Sequence, residues 1–248
     1  AQDVAGNMQE DHTATVGLEI DTQNPTASYS SEIIAPNQAD GVASDADSVV
    51  AYTVDFSEPV SGIGGGDINV EGGTVVPGTV SLSDDGLQAT FEVQAFDNSM
   101  TDLVVTVMDS VTDLHGNTLV VSSSEPVSVD TVNPSTMGAP VVSDVIVSDS
   151  ESGKALTVSF SFDEAMDQTI DPSVTFDPDV ESTLTGQTGR WTDAQTYVVE
   201  AVVADAGFDA DAVTIDITGA QDVAGNMQED HTATVGLSVD TQNPTSST

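Results

Sequence analysis

The chain has 248 residues and a formal net charge of −40, because 42 acidic residues face only Lys154 and Arg190. This excess leaves no basic surface for nucleic acid or anionic lipid, and no run is apolar enough for membrane insertion. Such charge destabilises a compact state unless salt or cations offset it, which predicts saline or calcium-rich surroundings. The chain contains no cysteine, so its stability must come from packing, with bound metal as a candidate second source.

Residues 1–26 return almost unchanged at residues 220–245. The two copies read AQDVAGNMQEDHTATVGLEIDTQNPT and AQDVAGNMQEDHTATVGLSVDTQNPT, and a weaker copy begins at Thr112. This spacing of about 110 residues is too long for a solenoid unit and fits a whole domain. We therefore predict complete domains at residues 27–134 and 135–248, preceded at 1–26 by the final strand and linker of another repeat. The chain is interpreted as a piece of a longer array.

Hydrophobic alternation predicts β-strands in both domains. The alternating segments are residues 50–56, 87–95 and 103–107 in the first domain, and 156–162, 197–203 and 213–217 in the second. A period of two places one face in a core and the other in water, as in antiparallel sheets. Turn-forming runs such as Asp84-Asp85-Gly86 separate the segments. The predicted fold class is all-β, with tandem immunoglobulin-like sandwiches of about seven strands each.

Three motifs recur in a fixed order: FSEPV at residues 56–60, then D-x-x-G-N, then D-T-x-N-P. This order resembles the bacterial Ig-like repeats of biofilm-associated proteins and giant repeats-in-toxin adhesins, where the repeats are extender modules. The resemblance implies a non-catalytic, secreted stalk at the cell surface, stiffened by calcium, that holds a binding tip away from the cell. The second repeat departs from the pattern, because DEAM at residues 163–166 replaces SEPV.

The immunoglobulin-like topology predicts where these motifs meet. The loop after the second strand and the D-x-x-G-N loop lie at the top of a sandwich, whereas D-T-x-N-P leaves at the bottom. Each exit should therefore contact two top loops of the next repeat, so neighbouring repeats of the same polypeptide are the expected partners. The predicted metal ligands are Asp21, Asn24, Glu58, Asp113 and Asn117 at the first joint, and Asp130, Asn133, Glu164, Asp222 and Asn226 at the second.

Calcium is the predicted cofactor at both joints. Converging carboxylates repel one another unless a cation lies between them, and calcium accepts six to eight oxygen ligands with flexible geometry. The alternative is that these Asp, Asn and Gly residues only form turns. Asp205, Asp209 and Asp211 are interpreted as solvated surface charge.

Two other functions stay open at this point. A glycan- or surface-binding module would use residues 186–197, which contain Arg190, Trp191 and Tyr197. An accessory region of a secreted enzyme would leave catalysis elsewhere in the parent chain. The three histidines, His12, His115 and His231, are interpreted as solvated side chains, so no catalytic site is predicted.

The final strand within residues 1–26 would expose the apolar face of Ala14, Val16, Leu18 and Ile20. An open strand edge can pair with another chain. One interpretation is exchange with the nearly identical strand of the second repeat in a neighbouring molecule, which would give head-to-tail chains. The other is an arm that lies on the first repeat.

Overall fold

The computed structural model describes residues 2–8, 19–34 and 41–244. These residues contain fifteen β-strands and two single-turn 3-10 helices, so the prediction of an all-β fold is confirmed. The first seven strands are β1 (Ala27–Ile33), β2 (Val49–Phe56), β3 (Ile68–Glu71), β4 (Gly73–Val75), β5 (Ser81–Leu82), β6 (Gln88–Ala95) and β7 (Val104–Val107). The other eight are β8 (Val141–Val142), β9 (Ile146–Ser148), β10 (Ala155–Ser161), β11 (Ser173–Asp177), β12 (Leu184–Trp191), β13 (Thr196–Val203), β14 (Asp209–Thr218) and β15 (Thr234–Asp240).

The two 3-10 helices, at Gly65–Asp67 and Asp149–Glu151, are each three residues long. Among the described residues, no helix has the length and apolar character that a bilayer crossing requires. The glycine-rich stretch around residue 65 forms the first of these single-turn helices. Its Asp67 carboxylate accepts a hydrogen bond from the Gly64 backbone N–H at 2.9 Å.

The first seven strands form a sandwich of two sheets. One sheet has the order β1-β2-β6-β4 with β5 also paired to β6, and the other pairs β3 with β7. Single bridges from Leu103 to Val127 and from Thr106 to Ser123 widen the second sheet. Between the sheets, Tyr52 stacks on Phe91 with ring centroids 5.8 Å apart.

The last eight strands form the second sandwich. Its sheets have the orders β12-β13-β10-β8 and β11-β14-β15-β9. All pairs are antiparallel except β9 with β15, where Val147 lies opposite Val239 in parallel register. The first sandwich has a counterpart of that pair in the parallel bridge between Ala43 and Val129.

The predicted alternating residues line the two cores, with one exception. The buried apolar side chains form one cluster between Ile33 and Val129 and another between Val147 and Val239. Leu87 was expected in the first cluster but is 37% exposed. It belongs to a turn before β6, and the turn needs Gly86 at φ 71°. A Cβ on Gly86 would lie 3.0 Å from the Val60 carbonyl oxygen, so this turn packs closely on the loop that carries Glu58.

The predicted boundary between residues 134 and 135 falls between these clusters, and the division into domains stays a prediction. Of the predicted apolar face in the N-terminal segment, Ala14, Val16 and Leu18 lie outside the described residues. Ile20 is 75% exposed.

Candidate metal centre

The second joint lies where the exit of the first sandwich meets the top of the second. Asp130 belongs to the exit, Glu164 follows β10, and Asp222 follows β14. One carboxylate oxygen from each of these three side chains lies within 4.8 Å of the other two. Asp222 is only 1% exposed, whereas Asp130 and Glu164 are half-buried. The fold therefore collects three acidic groups from three separate segments.

A hydrogen-bonded loop fixes Asp222 in this position. Its Oδ1 accepts a hydrogen bond from the Asn226 backbone N–H at 2.8 Å, and its Oδ2 accepts one from Asn226 Nδ2 at 2.7 Å. Gly225 has φ 90°, a left-handed conformation that favours glycine, which explains the Gly-Asn pair of the motif. The same bonds, with N···O distances from 2.7 to 2.9 Å, form between Asp113 and Asn117 and between Asp3 and Asn7.

Asn226 also ties the two sandwiches together. Its Nδ2 donates to the Asp130 carbonyl oxygen at 2.9 Å, and its Oδ1 accepts from the Asp45 backbone N–H at 2.7 Å. Its Nδ2 donates two hydrogen bonds, its Oδ1 accepts one, and the residue is 1% exposed. Asn226 is thus a bridge between polypeptide segments, and its predicted ligation of a metal, like that of Asn117, stays a prediction.

The electrostatics of the second joint oppose ionisation. Burial, and then the charges of Asp222, Asp130 and Asp163, raise the pKa of Glu164 to about 7. Burial also raises the pKa of Asp130 and outweighs the hydrogen bond from the Val132 backbone N–H, which lowers it; the charge of Asp222 adds a smaller rise. The two basic residues of the chain pair elsewhere, Lys154 with Glu151 and Arg190 with Glu200. A positive ion from solution is therefore the natural partner for these carboxylates.

The first joint is built in the same way from Asp21 of the exit motif and Asp113 of the D-x-x-G-N loop. A ring nitrogen of His115 joins them, and the three ligand atoms lie within 4.8 Å of one another. His115 Nδ1 is 3.2 Å from Asp21 Oδ2. Asn117 Nδ2 donates to the Asp21 carbonyl oxygen at 3.4 Å, a longer contact than its counterpart in the second joint.

Glu58 lies beside this group of three ligand atoms. Burial, then the charges of Asp21 and Asp113, raise its pKa, although His115 acts in the opposite direction. Its Oε1 is buried and has no hydrogen-bond partner among the described residues. Burial also opposes ionisation of Asp113, but hydrogen bonds from Asn117 and His115 outweigh it and hold the pKa of Asp113 below its ordinary value. An unpartnered carboxylate oxygen beside other acidic groups fits a cation site.

The remaining predicted ligands are placed differently. Asn24 is exposed on the linker. Asn133 is half-buried, and its Oδ1 has no hydrogen-bond partner within the part of the chain that the structure describes. Ligation by these two amides stays a prediction.

Sequence reasoning missed His115 and Asp45. Its interpretation of His231 as a solvated side chain is wrong, because that side chain is 5% exposed and contacts Asp216. His115 was interpreted as a solvated side chain, although its position two residues after Asp113 in D-L-H-G-N offered a signal. Asp45 contributes a backbone N–H, and a contact made by the backbone cannot be predicted from the residue types.

A third acidic group lies at the exit of the second sandwich. Burial, then the charges of Asp205 and Asp240, raise the pKa of Asp149. Asp149 Oδ1 is buried and lacks a hydrogen-bond partner among the described residues. Asp149 follows Val147 of the parallel pair by two residues, as Asp45 follows Ala43 in the first sandwich. The two exits thus share their construction.

The candidate sugar platform around Trp191 is part of the core edge. The Trp191 ring packs against Tyr197 with centroids 5.0 Å apart and against Phe162 at 5.9 Å. Its Nε1 donates to the Ile170 carbonyl oxygen at 3.3 Å. Arg190 faces Glu200 at 3.4 Å. These contacts favour a packing role for Trp191 over sugar stacking.

No protein-family model matches the chain, and no curated protein matches it. Among solved structures, the N-terminal part of the bacterial S-layer protein SbsC is matched over 88% of this chain, with 14% sequence identity and a TM-score of 0.29. The match spans 44% of that structure, so this chain corresponds to less than half of it. A superposition at this level carries no argument about function.

Proposed function

We propose that the chain is a non-catalytic extender segment of a secreted bacterial surface adhesin, stiffened by calcium at its joints. The observation that carries the proposal is the meeting of Asp130, Glu164 and Asp222 across the second joint. One of these side chains comes from the exit of the first sandwich and two from the top of the second. An ion bound by all three would link the sandwiches directly.

The need for a cation follows from charge. The net charge of −40 already favours an expanded chain, and the joints concentrate that charge in half-buried positions. Dissolved salt screens exposed charges over about 8 Å at physiological ionic strength, but it screens buried groups much less. A bound ion removes the repulsion where salt cannot. It would therefore convert a weak point of each joint into a link.

The ligand chemistry of the second joint favours calcium over magnesium. Carboxylates, a backbone carbonyl oxygen and water are ordinary calcium ligands, and calcium tolerates irregular geometry with six to eight oxygens. Magnesium demands a near-ideal octahedron and releases its waters reluctantly. The three carboxylates come from separate segments whose positions are fixed by the fold, so a tolerant ion suits them better.

The test compares the full chain with and without calcium at constant ionic strength. We expect small-angle X-ray scattering to show a longer, narrower distribution of interatomic distances in calcium than in chelator. Calorimetry should show a higher melting temperature, since saturation to 100 times the dissociation constant stabilises by about 2.7 kcal/mol per independent site.

The matched variants are Asp130→Asn at the joint and Asp211→Asn on the exposed surface, which remove the same charge. Only the Asp130 variant should lose the calcium response. Equal loss in both would mean that calcium acts through net charge and not at the joint.

Self-association through residues 1–26 is a separate prediction. Light scattering across a concentration series should detect head-to-tail chains that disappear when residues 1–20 are deleted. A monomer at every concentration in both forms would contradict strand exchange.

A further inference from the structure

The two joints differ at one position of an otherwise identical loop. D-L-H-G-N and D-V-A-G-N make the same Asp–Asn hydrogen bonds, and Gly116 and Gly225 share a φ of 90°. His115 in the first loop corresponds to Ala224 in the second. Both loops adopt the same geometry, so the backbone does not require a histidine at this position. The effect of His115 must therefore come from the groups that its side chain contacts.

The imidazole reaches the carboxylates of the first joint. Its Nδ1 is 3.2 Å from Asp21 Oδ2, and a ring nitrogen lies within 4.8 Å of ligand oxygens of both Asp21 and Asp113. The side chain is 46% exposed, so an ion can approach it from solution. By contrast, the group of ligand atoms in the second joint contains only carboxylate oxygens.

A second, independent feature points to a bound ion. Glu58 Oε1 is a buried atom with no hydrogen-bond partner among the described residues, and the charges of Asp21 and Asp113 act on this carboxylate. A buried carboxylate oxygen without a donor is costly, and an ion would supply the missing partner. Asp113 also keeps capacity for a ligand bond, because each carboxylate oxygen has two acceptor sites and its hydrogen bonds do not fill them all.

We propose that the first joint is a mixed nitrogen–oxygen site that selects a first-row transition ion such as Zn²⁺, with His115, Asp21 and Asp113 as its ligands. Imidazole is a good ligand for zinc, copper, nickel and iron, whereas calcium takes oxygen ligands. At the first joint this ion takes the place that the proposed function gives to calcium, whereas the second joint has no such nitrogen and keeps calcium. This inference rests on the proposed function only in treating a joint as a cation site.

The experiment titrates the full chain with Zn²⁺ by calorimetry in the presence of millimolar calcium. The wild-type chain should retain one zinc site that calcium does not displace. His115→Ala, which copies the loop of the second joint, should weaken that site at least about tenfold, since loss of even an outer-shell partner of a metal ligand costs 10- to 100-fold. Ala224→His should create a second such site.

His231→Asn is the matched control for loss of a histidine. Its Nδ1 lies 3.1 Å from Asp216 in the second sandwich, it belongs to neither group of ligand atoms, and its removal should leave zinc affinity unchanged. Circular dichroism should show that all variants keep the wild-type fold. Cobalt substitution adds a second readout, because its visible absorption should change when His115 is replaced and not when His231 is.

Two results would overturn the inference: unchanged zinc affinity in His115→Ala, or displacement of all zinc by calcium in the wild-type chain. Failure of the calcium proposal gives a different result. Calcium would then leave the scattering profile unchanged, while the His115-dependent zinc site could still be measured.

Discussion

The two joints share a loop and an exit motif, yet the loop asparagine makes more hydrogen bonds to the preceding segment in the second joint than in the first. In the second joint, Asn226 is buried and contacts both the Asp130 carbonyl oxygen and the Asp45 backbone N–H. In the first, Asn117 is half-buried and reaches the preceding segment through one 3.4 Å contact with Asp21. The comparison shows that the motif fixes the local loop, whereas neighbouring segments decide whether the loop also joins two sandwiches.

The largest expected effect comes from removing these asparagines. Asn226→Ala leaves the buried Asp222 Oδ2 without its hydrogen-bond donor, and an unsatisfied buried group costs about 1–3 kcal/mol. It also removes the contacts with the Asp130 carbonyl oxygen and with Asp45, which is exposed. Asn117→Ala removes the same bond to Asp113 Oδ2 but only one 3.4 Å contact with the preceding segment, so we expect a smaller loss of unfolding free energy. Urea unfolding followed by circular dichroism would measure both.

Trp191 is the single tryptophan, and it lies in the second sandwich. Its fluorescence should therefore follow the Asn226 variant and not the Asn117 variant. Equal losses of unfolding free energy in the two variants would contradict the view that Asn226 stabilises its joint more than Asn117 does.

Replacing the two loop glycines should give equal effects. Gly116→Ala and Gly225→Ala each force alanine to φ 90°, and the left-handed region costs about 1–2 kcal/mol for a residue with Cβ. No atom lies within 4 Å of the added Cβ at either position, so strain is the whole cause. Thermal unfolding in chelator would compare them, and a difference well above 1 kcal/mol would show that the loops are not equivalent.

A smaller effect should appear in the pH dependence of the metal-free chain. The pKa of Glu164 is raised from 4.5 to about 7, so its neutral form is favoured in the folded state. Its contribution to stability is full below pH 4.5 and is lost as the pH rises through 7. Because the group is partly solvated and screened, we expect a loss on the order of 1 kcal/mol.

Glu164→Gln should abolish this loss in chelator and should also weaken calcium binding. Melting temperatures measured from pH 4 to pH 8 would test both statements. A profile identical to that of the wild-type chain would show that Glu164 does not carry the pH dependence.

The smallest effect is expected outside both joints. Arg190 and Glu200 face each other at 3.4 Å with exposed side chains, and such surface pairs contribute about 0–1 kcal/mol. Arg190→Gln should therefore leave the calcium response unchanged and shift the unfolding free energy by less than about 0.5 kcal/mol. A larger shift in calorimetry would mean that net charge governs stability more than the joints do.

The sequence predicted most of the fold and the carboxylates that meet at the second joint, but it did not predict the contacts of Asp45 and His115. Alternation identified the buried faces because period-two patterns report one wet and one dry side, and it failed at Leu87, where a turn follows the same pattern. The meeting of Asp130, Glu164 and Asp222 followed from topology alone. The contact of Asp45 could not be foreseen, since it uses a backbone group. The role of His115 depends on a three-dimensional neighbour, Asp21, that is 94 residues away in sequence.

The parallel pair of β9 and β15 has a mechanical consequence. These strands lie near the start and at the end of the second sandwich, with Val147 beside Val239. Tension applied to the two ends of the sandwich first detaches β8, which has only two residues. The tension then pulls β9 and β15 in opposite directions along their length. Parallel ladder bonds are evenly spaced between the strands, so this load shears them together and does not open them one by one. A sandwich with this strand arrangement therefore resists stretching most strongly when the force acts through its N- and C-terminal ends.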